Sequence, residues 1–545
     1  MAKYGLGIDF GTLSGRIIAV DLDSGEEVCS EVCEYANAVI TEELKGVKLP
    51  EDYALQYPDD YIAVLYQIRP MLDKYNINPA DIAGIGVDFT ACTMFPVSRK
   101  YIPLCFYKKY SANPHVYVKL WKHHSAQKYA DMINEKAKRE KYSFIKRYGG
   151  KVSSEWLMPK IMETAELAPE IYDEAAYFVE AADFITYYLT GKSIRNSCCA
   201  GFKGFWNKKS GMPKEKFFSD INPALNGVYK KLPKKVCPSG TKIGSIKPSV
   251  ARSLGLCENT AVAAGIIDAH AAVPASGAVK PGDMLMIMGT STCHMLLSDK
   301  YKALNGICGV VEDGIIPGLY GYEAGQACVG DSFEWAIKNI LPERYFKAAA
   351  EKNLNIHSYM EEYIKKLKPG ESGIVALDWW NGNRTPLTDA SLSGVIAGLT
   401  LNTKPEEIYL AMIEATAFGS KIIIDNFTDN GLPVKRLFAA GGISYKNDTV
   451  MQIYADILDR EIFIADTVQA GALGCAIYAG AAAGYFDLEE GVRRLSKVKA
   501  KSFKPDASKR AVYDRLYDNY KKLFYAFGEK DLKSVMYDLK QMKNS

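Results

Sequence analysis

Among its 12 cysteines the sequence has no Cys-x-x-Cys pair. Cys29 and Cys33 lie four apart and Cys198 and Cys199 are adjacent, but no second pair completes a zinc-binding set. Cys293, Cys308, Cys328 and Cys475 sit in apolar stretches, as small buried thiols do, which suits a reducing compartment better than secretion. No basic run dominates either. Net charge is +3 over 545 residues, and the densest basic patch (Lys230, Lys231, Lys234, Lys235) reads as a solvated loop, so no nucleic-acid partner is expected. The best membrane candidate, residues 470–486, is mostly Ala and Gly and reads as a close-packed helix, so no membrane partner is expected. The N-terminus runs directly into a strand-like segment at residues 5–9, without a charged-then-apolar leader; a cytoplasmic location is expected.

Several nucleotide-binding motifs are also missing. Gly191-Lys192-Ser193 ends like a P-loop, but position 186 is Thr where that motif requires Gly. No Gly-x-Gly-x-x-Gly follows the first strand, where position 10 is Phe, and protein-kinase loops are absent.

What is present is an ordinary globular balance, 48% apolar and 24% charged, over enough chain for two to four domains at roughly 100–200 residues each. Short β-branched runs, such as residues 82–89 and 261–267, alternate with helical stretches. One helix opens at Pro405 and places Ile408, Met412, Ala415 and Phe418 on one stripe. This alternation predicts an α/β fold with largely parallel sheets. The last 40 residues carry apolar positions at helical spacing and predict a terminal helix.

An internal echo organises the chain. Residues 6–21 (LGIDFGTLSGRIIAVD) and 284–297 (MLMIMGTSTCHMLL) share one plan, a hairpin with small hydroxyl residues at its tip. Two similar lobes, 1–275 and 276–545, meeting at a shared cleft explain it simply; two unrelated hairpins are the alternative. The junction is expected within residues 273–282, rich in Pro, Gly and small side chains.

The first hairpin tip holds Gly11, Thr12, Ser14 and Arg16. Glycine lets peptide N–H groups approach phosphate oxygens, and the hydroxyls and guanidinium add donors. Asp9 ends the first strand, where a carboxylate can hold a hydrated Mg²⁺. Gly289, Thr290 and Ser291 form the second such turn. Gly441 and Gly442 form a third glycine site, where a base or ribose could lie close to backbone, with Asn447 just beyond as a hydrogen-bonding group. Asp268 follows a strand and precedes an Ala-rich helix. It reads equally as a helix cap or as a carboxylate facing the ligand crevice of an α/β protein. The adjacent His123 and His124 would diverge on a helix and make a poor metal pair. His270 reads as orienting its loop, and Trp379 and Trp380 as packing.

The three turns, in this order, resemble the two phosphate motifs and the adenosine motif of the ATPase superfamily that includes actin, hexokinase and the heat-shock chaperones. Within it the chain resembles the FGGY carbohydrate kinases, through residues 394–399 (GVIAGL) followed by 413–418 (IEATAF). Residues 86–93 (GVDFTACT), 118–124 (VKLWKHH), 149–156 (GGKVSSEW), 268–271 (DAHA) and 377–384 (LDWWNGNR) resemble the branch of that family acting on ribulose. The resemblance spans nearly the whole chain. It implies two ribonuclease H-like lobes around an interlobe cleft, ATP and Mg²⁺ as cofactors, and phosphorylation of a ketopentose, L-ribulose first, in arabinose catabolism. It assigns Asp268 as catalytic base. It also places Ala91, Lys203 and Glu323 on the sugar; read alone, Lys203 could be a surface lysine and Glu323 a solvated glutamate. The rivals are a family member acting on D-ribulose, xylulose or a pentitol, and an ATP-gated interaction protein. Beyond sugar and ATP, the assembly entertained is a homodimer.

Overall fold

The computed structural model describes residues 3–544. The first sheet contains β1 (Tyr4–Phe10), β2 (Ser14–Asp21), β3 (Glu27–Glu34), β4 (Ile82–Phe89), β5 (Lys242–Ser245), β6 (Ala261–Ala263) and β7 (Ile266–Ile267). Its order is β5-β6-β4-β1-β2-β3, with β7 also paired to β4. The strands β1, β2 and β3 are antiparallel, and β4, β6 and β7 run parallel to one another's partners in the β1 direction. The second sheet contains β8 (Asp283–Met288), β9 (Thr292–Ser298), β10 (Gly309–Glu312), β11 (Tyr320–Gln326), β12 (Arg436–Ala440) and β13 (Ile462–Ile464), in the order β10-β11-β9-β8-β12-β13. The succession β11-β9-β8-β12-β13 repeats the plan β3-β2-β1-β4-β6, antiparallel strands and then parallel ones. The echo between the two hairpins is thus an echo between two sheets.

The helices that matter to the site are α1 (Leu157–Leu167), α2 (Ser197–Phe202), α3 (Asp268–Ala275), α4 (Gly330–Ile340), α5 (Pro405–Asp429), α6 (Asp448–Leu458), α7 (Ala470–Ala482), α8 (Arg510–Gly528) and α9 (Lys533–Asn544). The Pro405 helix forms as expected, and Met412, Ala415 and Phe418 are buried along it. Residues 261–267 form two short strands, interrupted at Ala264 and Gly265, rather than one. The terminal segment forms two helices, not one. Tyr513, Leu516, Tyr520, Phe524 and Met536 bury them in the core of the second sheet. Residues 470–486 begin with α7, a buried helix, and no helix among the described residues is long and apolar enough to cross a membrane.

Strands β1 and β4 alternate with an unusual payload. Leu6, Ile8, Phe10, Ile85, Val87 and Phe89 fill one core face, and the Phe10 and Phe89 rings stack at 4.3 Å. The other face reads Gly5, Gly7, Asp9 on β1 and Gly84, Gly86, Asp88 on β4, aligned in register across the pair. The glycines form a groove, and α7 lies in it. A side-chain carbon at Gly7 would fall 1.8 Å from the carbonyl oxygen of Ala472, and one at Gly86 2.1 Å from that of Cys475. The helix following the second sheet therefore covers the first sheet. Conversely α3, which follows β7, reaches β9 of the second sheet. The two helices cross so tightly that a side-chain carbon at Gly474 of α7 would sit 1.7 Å from the Ala271 carbonyl oxygen.

Overpacking of that crossing has no flexible side chain to relieve it. Gly474→Val is expected to destabilise the protein by about 3 kcal/mol or more, read as a lowered urea midpoint. Gly442→Ala, where nothing lies within 4 Å of an added carbon, is the control and should shift stability by no more than about 0.5 kcal/mol.

Candidate active site

The glycine groove ends at a pair of carboxyl groups. Asp9 and Asp88 face each other across β1 and β4, against the first turn of α7, where a carbon added at Gly471 would lie 2.9 Å from Asp88 Oδ2. A helix N-terminus favours negative charge at this place. Asp88 is fully buried, and Cys475 Sγ donates to its Oδ2 at 3.2 Å. Burial first, and then the charges of Asp9 and Asp268, push the Asp88 carboxyl well above the ordinary range, and burial also raises that of Asp9. Arg16 Nη1 stands 3.8 Å from Asp9 Oδ2.

The first hairpin tip is braced from below. Gly11 N–H donates to the Ser14 carbonyl at 3.0 Å, Gln56 Nε2 to the Thr12 carbonyl at 2.7 Å, and Trp121 Nε1 to Thr12 Oγ1 at 3.2 Å. In the second tip Gly289 N–H donates to the Ser291 carbonyl at 2.9 Å. The start of α4 seats on this tip, with Val329 N–H on the Thr290 carbonyl and Gly330 N–H on that of Gly289. Gly441 closes against Met288 at the end of β8, so the third turn adjoins the second. Asn447 caps α6: its Oδ1 accepts from Val450 N–H at 2.9 Å, which leaves its side-chain amide N–H groups for other partners.

Asp268 is the first residue of α3, and Ile267 occupies the cap position. Its Oδ1 accepts the Ala269 N–H at 2.7 Å. Burial, then Asp9 and Glu323, raise its carboxyl to about 7, with the Ala269 N–H opposing them. On its other side Lys203 Nζ meets Glu323 Oε1 at 2.8 Å, joining the end of α2 to β11 and thus one half of the chain to the other. Both residues are buried. Burial opposes the charge of Glu323, but Lys203, then His270 and Arg384, outweigh it and hold the carboxyl below its usual range. Glu323 Oε2 and His270 Nε2 are buried without a hydrogen-bond partner. His270 stacks on Phe202, and its Nδ1 lies 3.1 Å from Cys198 Sγ, an orienting arrangement.

The turn carrying Ala91 is fixed by a buried lysine. Lys160 of α1 donates to the carbonyls of Cys92 and Leu120, each at 2.8 Å, and burial lowers its affinity for a proton. Next to it Lys119, Glu163 and His123 form a buried network, with Lys119 Nζ 2.6 Å from Glu163 Oε2. His123 is a structural histidine in it. Trp379 is buried against Phe524, and Trp380 packs on Trp335.

The structure brings Asp9, the first tip, Asp268, Lys203 and Glu323 into one electrostatically linked site, with the second and third turns on the side of the second sheet. Asp88 escaped sequence reasoning. Its signal was present in Gly84-x-Gly86-x-Asp88, which repeats Gly5-x-Gly7-x-Asp9.

Two sheets repeating one plan, with glycine–hydroxyl tips and a central carboxylate, form a two-domain α/β fold. The N-terminal domain of the FGGY family of carbohydrate kinases matches residues 4–274 and its C-terminal domain matches residues 284–483. The chain belongs to the FGGY family of carbohydrate kinases. It is 49% identical to a protein of Bacillus licheniformis named Ribulokinase, over 98% of each chain. It is 48% identical to a Ribulokinase of Anoxybacillus flavithermus, over 100% of this chain and 98% of that one. The fold matches the crystal structure of gluconate kinase from Lactobacillus acidophilus with a TM-score of 0.81, at 20% identity, over 98% of this chain and 100% of that one.

The Asp268 carboxyl binds its proton more tightly in the folded chain than in the unfolded one. Its folded-state value is raised, so stability falls as pH rises from the unfolded value of 3.8 towards about 7 and is level above that. Asp268→Asn removes this cost, and should stabilise the protein by roughly 2–3 kcal/mol more at pH 8 than at pH 5, read from denaturant midpoints at the two pH values.

Proposed function

We propose that this carbohydrate kinase transfers the terminal phosphoryl group of ATP to the 5-hydroxyl of L-ribulose, with Asp268 as the base that takes the hydroxyl proton. The carrying observation is the Asp268 carboxyl, poised at about 7 between the Lys203–Glu323 pair and the Asp9–Asp88 pair. A base of that affinity is half-ionised near neutral pH, where proton acceptance is most effective. The curated relatives named Ribulokinase, similar over nearly their full length, support the choice of sugar.

In this reading Ala91, Lys203 and Glu323 hold the ketopentose. Lys203 donates to sugar oxygens, and Glu323 Oε2, which has no hydrogen bond and lies 3.5 Å from His270 Nε2, accepts from a hydroxyl. The tips at Gly11, Thr12, Ser14 and Arg16 and at Gly289, Thr290 and Ser291 hold the phosphates, and Gly441, Gly442 and Asn447 lie beside the nucleoside. Residues 1–275 form the sugar lobe and 276–545 the nucleotide lobe. No group of three or more His, Cys, Asp or Glu among the described residues forms a cage for a metal. The hard oxygens of Asp9, beside the orphaned Oδ1 of Asp88, fit Mg²⁺, an ion that keeps several waters and binds phosphates. Asp9 would hold it, and it would supply neutralising charge for the phosphates. The chain's own part is to orient the two substrates, remove the proton at the 5-hydroxyl and keep water out as the lobes meet. A cytoplasmic location fits the cysteines, all of them free.

Asp268→Asn should keep ATP binding and lose turnover by about 10²–10⁴-fold. Near-normal turnover would remove Asp268 from the role of base. In the wild-type protein kcat/KM should fall as pH drops through about 7, where Asp268 takes up its proton. Across a panel of ketopentoses, pentitols and glycerol, L-ribulose should have the highest kcat/KM; a preference for xylulose or glycerol would overturn the choice of sugar.

A further inference from the structure

Two sequence segments singled out above, residues 149–156 and 377–384, have no part in this mechanism. The fold brings them together across the cleft. Gly306 N–H donates to the Gly149 carbonyl at 3.0 Å, and Lys151 Nζ donates to the Thr388 carbonyl at 3.1 Å. At the inner end of this seam Arg384 Nη2 lies 3.9 Å from Glu155 Oε1.

Arg384 is held in place by its backbone. Thr385 N–H donates to the Gly325 carbonyl, and Gly325 N–H donates to Thr385 Oγ1, both at 3.2 Å. The arginine stem then lies along β11, where Gly325 offers no side chain; an added carbon would be 3.4 Å from Arg384 Cδ. Two residues back on the same strand is Glu323, whose ionised form Arg384 favours after Lys203 and His270.

The guanidinium is unusual in what it lacks. Arginine beside carboxylates normally forms paired, forked hydrogen bonds. Here none of its N–H groups has a hydrogen-bond partner among the described residues, and its nearest carboxylate stands beyond hydrogen-bond distance. Lys203, the other cation of the pocket, is bonded at 2.8 Å. Only 31% of the Arg384 side chain is exposed. The acceptor groups left over in the same pocket include Glu323 Oε2, buried without a hydrogen bond and 3.5 Å from His270 Nε2.

We propose that Arg384 is a further substrate-contacting residue, which donates to carbonyl or hydroxyl oxygens of the bound sugar on the Glu323 side, and that Glu155 is a positioning residue that keeps the guanidinium aimed into the cleft. The assignment rests on the reading of Lys203 and Glu323 as the sugar pocket. Because Glu155 and Arg384 come from opposite halves of the chain, the contact forms fully only when the lobes meet. The sugar then sets the geometry of closure as well as occupying the pocket.

The test separates sugar binding from catalysis. Arg384→Gln, Arg384→Lys and Glu155→Gln are compared with wild type by steady-state kinetics, by calorimetric titration of L-ribulose without ATP, and by thermal midpoint. Arg384→Gln should raise the sugar KM and Kd by about 10- to 100-fold, the loss of a charge-assisted hydrogen bond, with the ATP KM and thermal midpoint unchanged. Arg384→Lys should recover part of that loss. Glu155→Gln should cause a smaller rise in sugar KM that disappears in the Arg384→Gln background. An Arg384→Gln variant with unchanged sugar Kd overturns the proposal: a lowered kcat would then place Arg384 on the phosphoryl group, and unchanged kinetics would make it a surface residue. A lowered thermal midpoint in both Arg384 variants would make it structural and overturn the proposal too. If wild type prefers another sugar, the choice of L-ribulose fails, and Arg384 is judged by the same split on the preferred sugar.

Discussion

The close approach of α7 to the first sheet is the constraint on which the rest depends. Bulky residues on β1 and β4 would hold a helix about a side chain's length away. The glycine stripe lets α7 rest on backbone, and this sets the position of its first turn against Asp9 and Asp88. The crossing of Gly474 with Ala271 then ties α7 to α3, one turn beyond Asp268. Two helix N-termini, one from each sheet, are thereby aimed at one point. The first hairpin tip and the Lys203–Glu323 pair lie beside it.

That convergence explains the electrostatics. Three carboxyl groups face one another, Asp88 fully buried and Asp9 and Asp268 half-buried, and two positive helix ends only partly offset their repulsion. The system settles by unequal sharing. Burial raises all three carboxyl groups, Asp88 well above the ordinary range and Asp268 to about 7. Identical side chains are thus set apart by burial and neighbours.

Much of this was legible in the sequence. The hairpin tips at 11–14 and 289–291 were legible because the same glycine–hydroxyl turn between apolar runs occurs twice, although each alone also reads as an ordinary hairpin. Asp268 was legible because it sits where a strand hands over to a helix. Four things were not. Residues 470–486 read as a close-packed helix, but composition does not say which sheet a helix covers, and this one covers the sheet opened by residues from the other end of the chain. The break at Ala264 and Gly265 turned one apparent strand into two, since small residues satisfy a strand pattern without enforcing it. Asp88 hid in a strand whose alternation was read for its apolar face only. Glu155 and Arg384 meet only through the tertiary fold, and no local pattern pairs them.

The exchange of helices between the sheets has a consequence for how the chain comes into being. A nascent polypeptide released up to residue 275 contains every strand of the first sheet but not the helix that fills its glycine groove. The groove, its backbone carbonyls and the Asp9–Asp88 pair stay open to solvent until residue 482 has left the ribosome. At the usual pace of roughly 5–20 residues per second, that interval lasts on the order of ten seconds or more. The lobe synthesised first is therefore completed last. The first half cannot be cut away and expected to fold as a unit, so the cleft exists only once nearly the whole chain has been made.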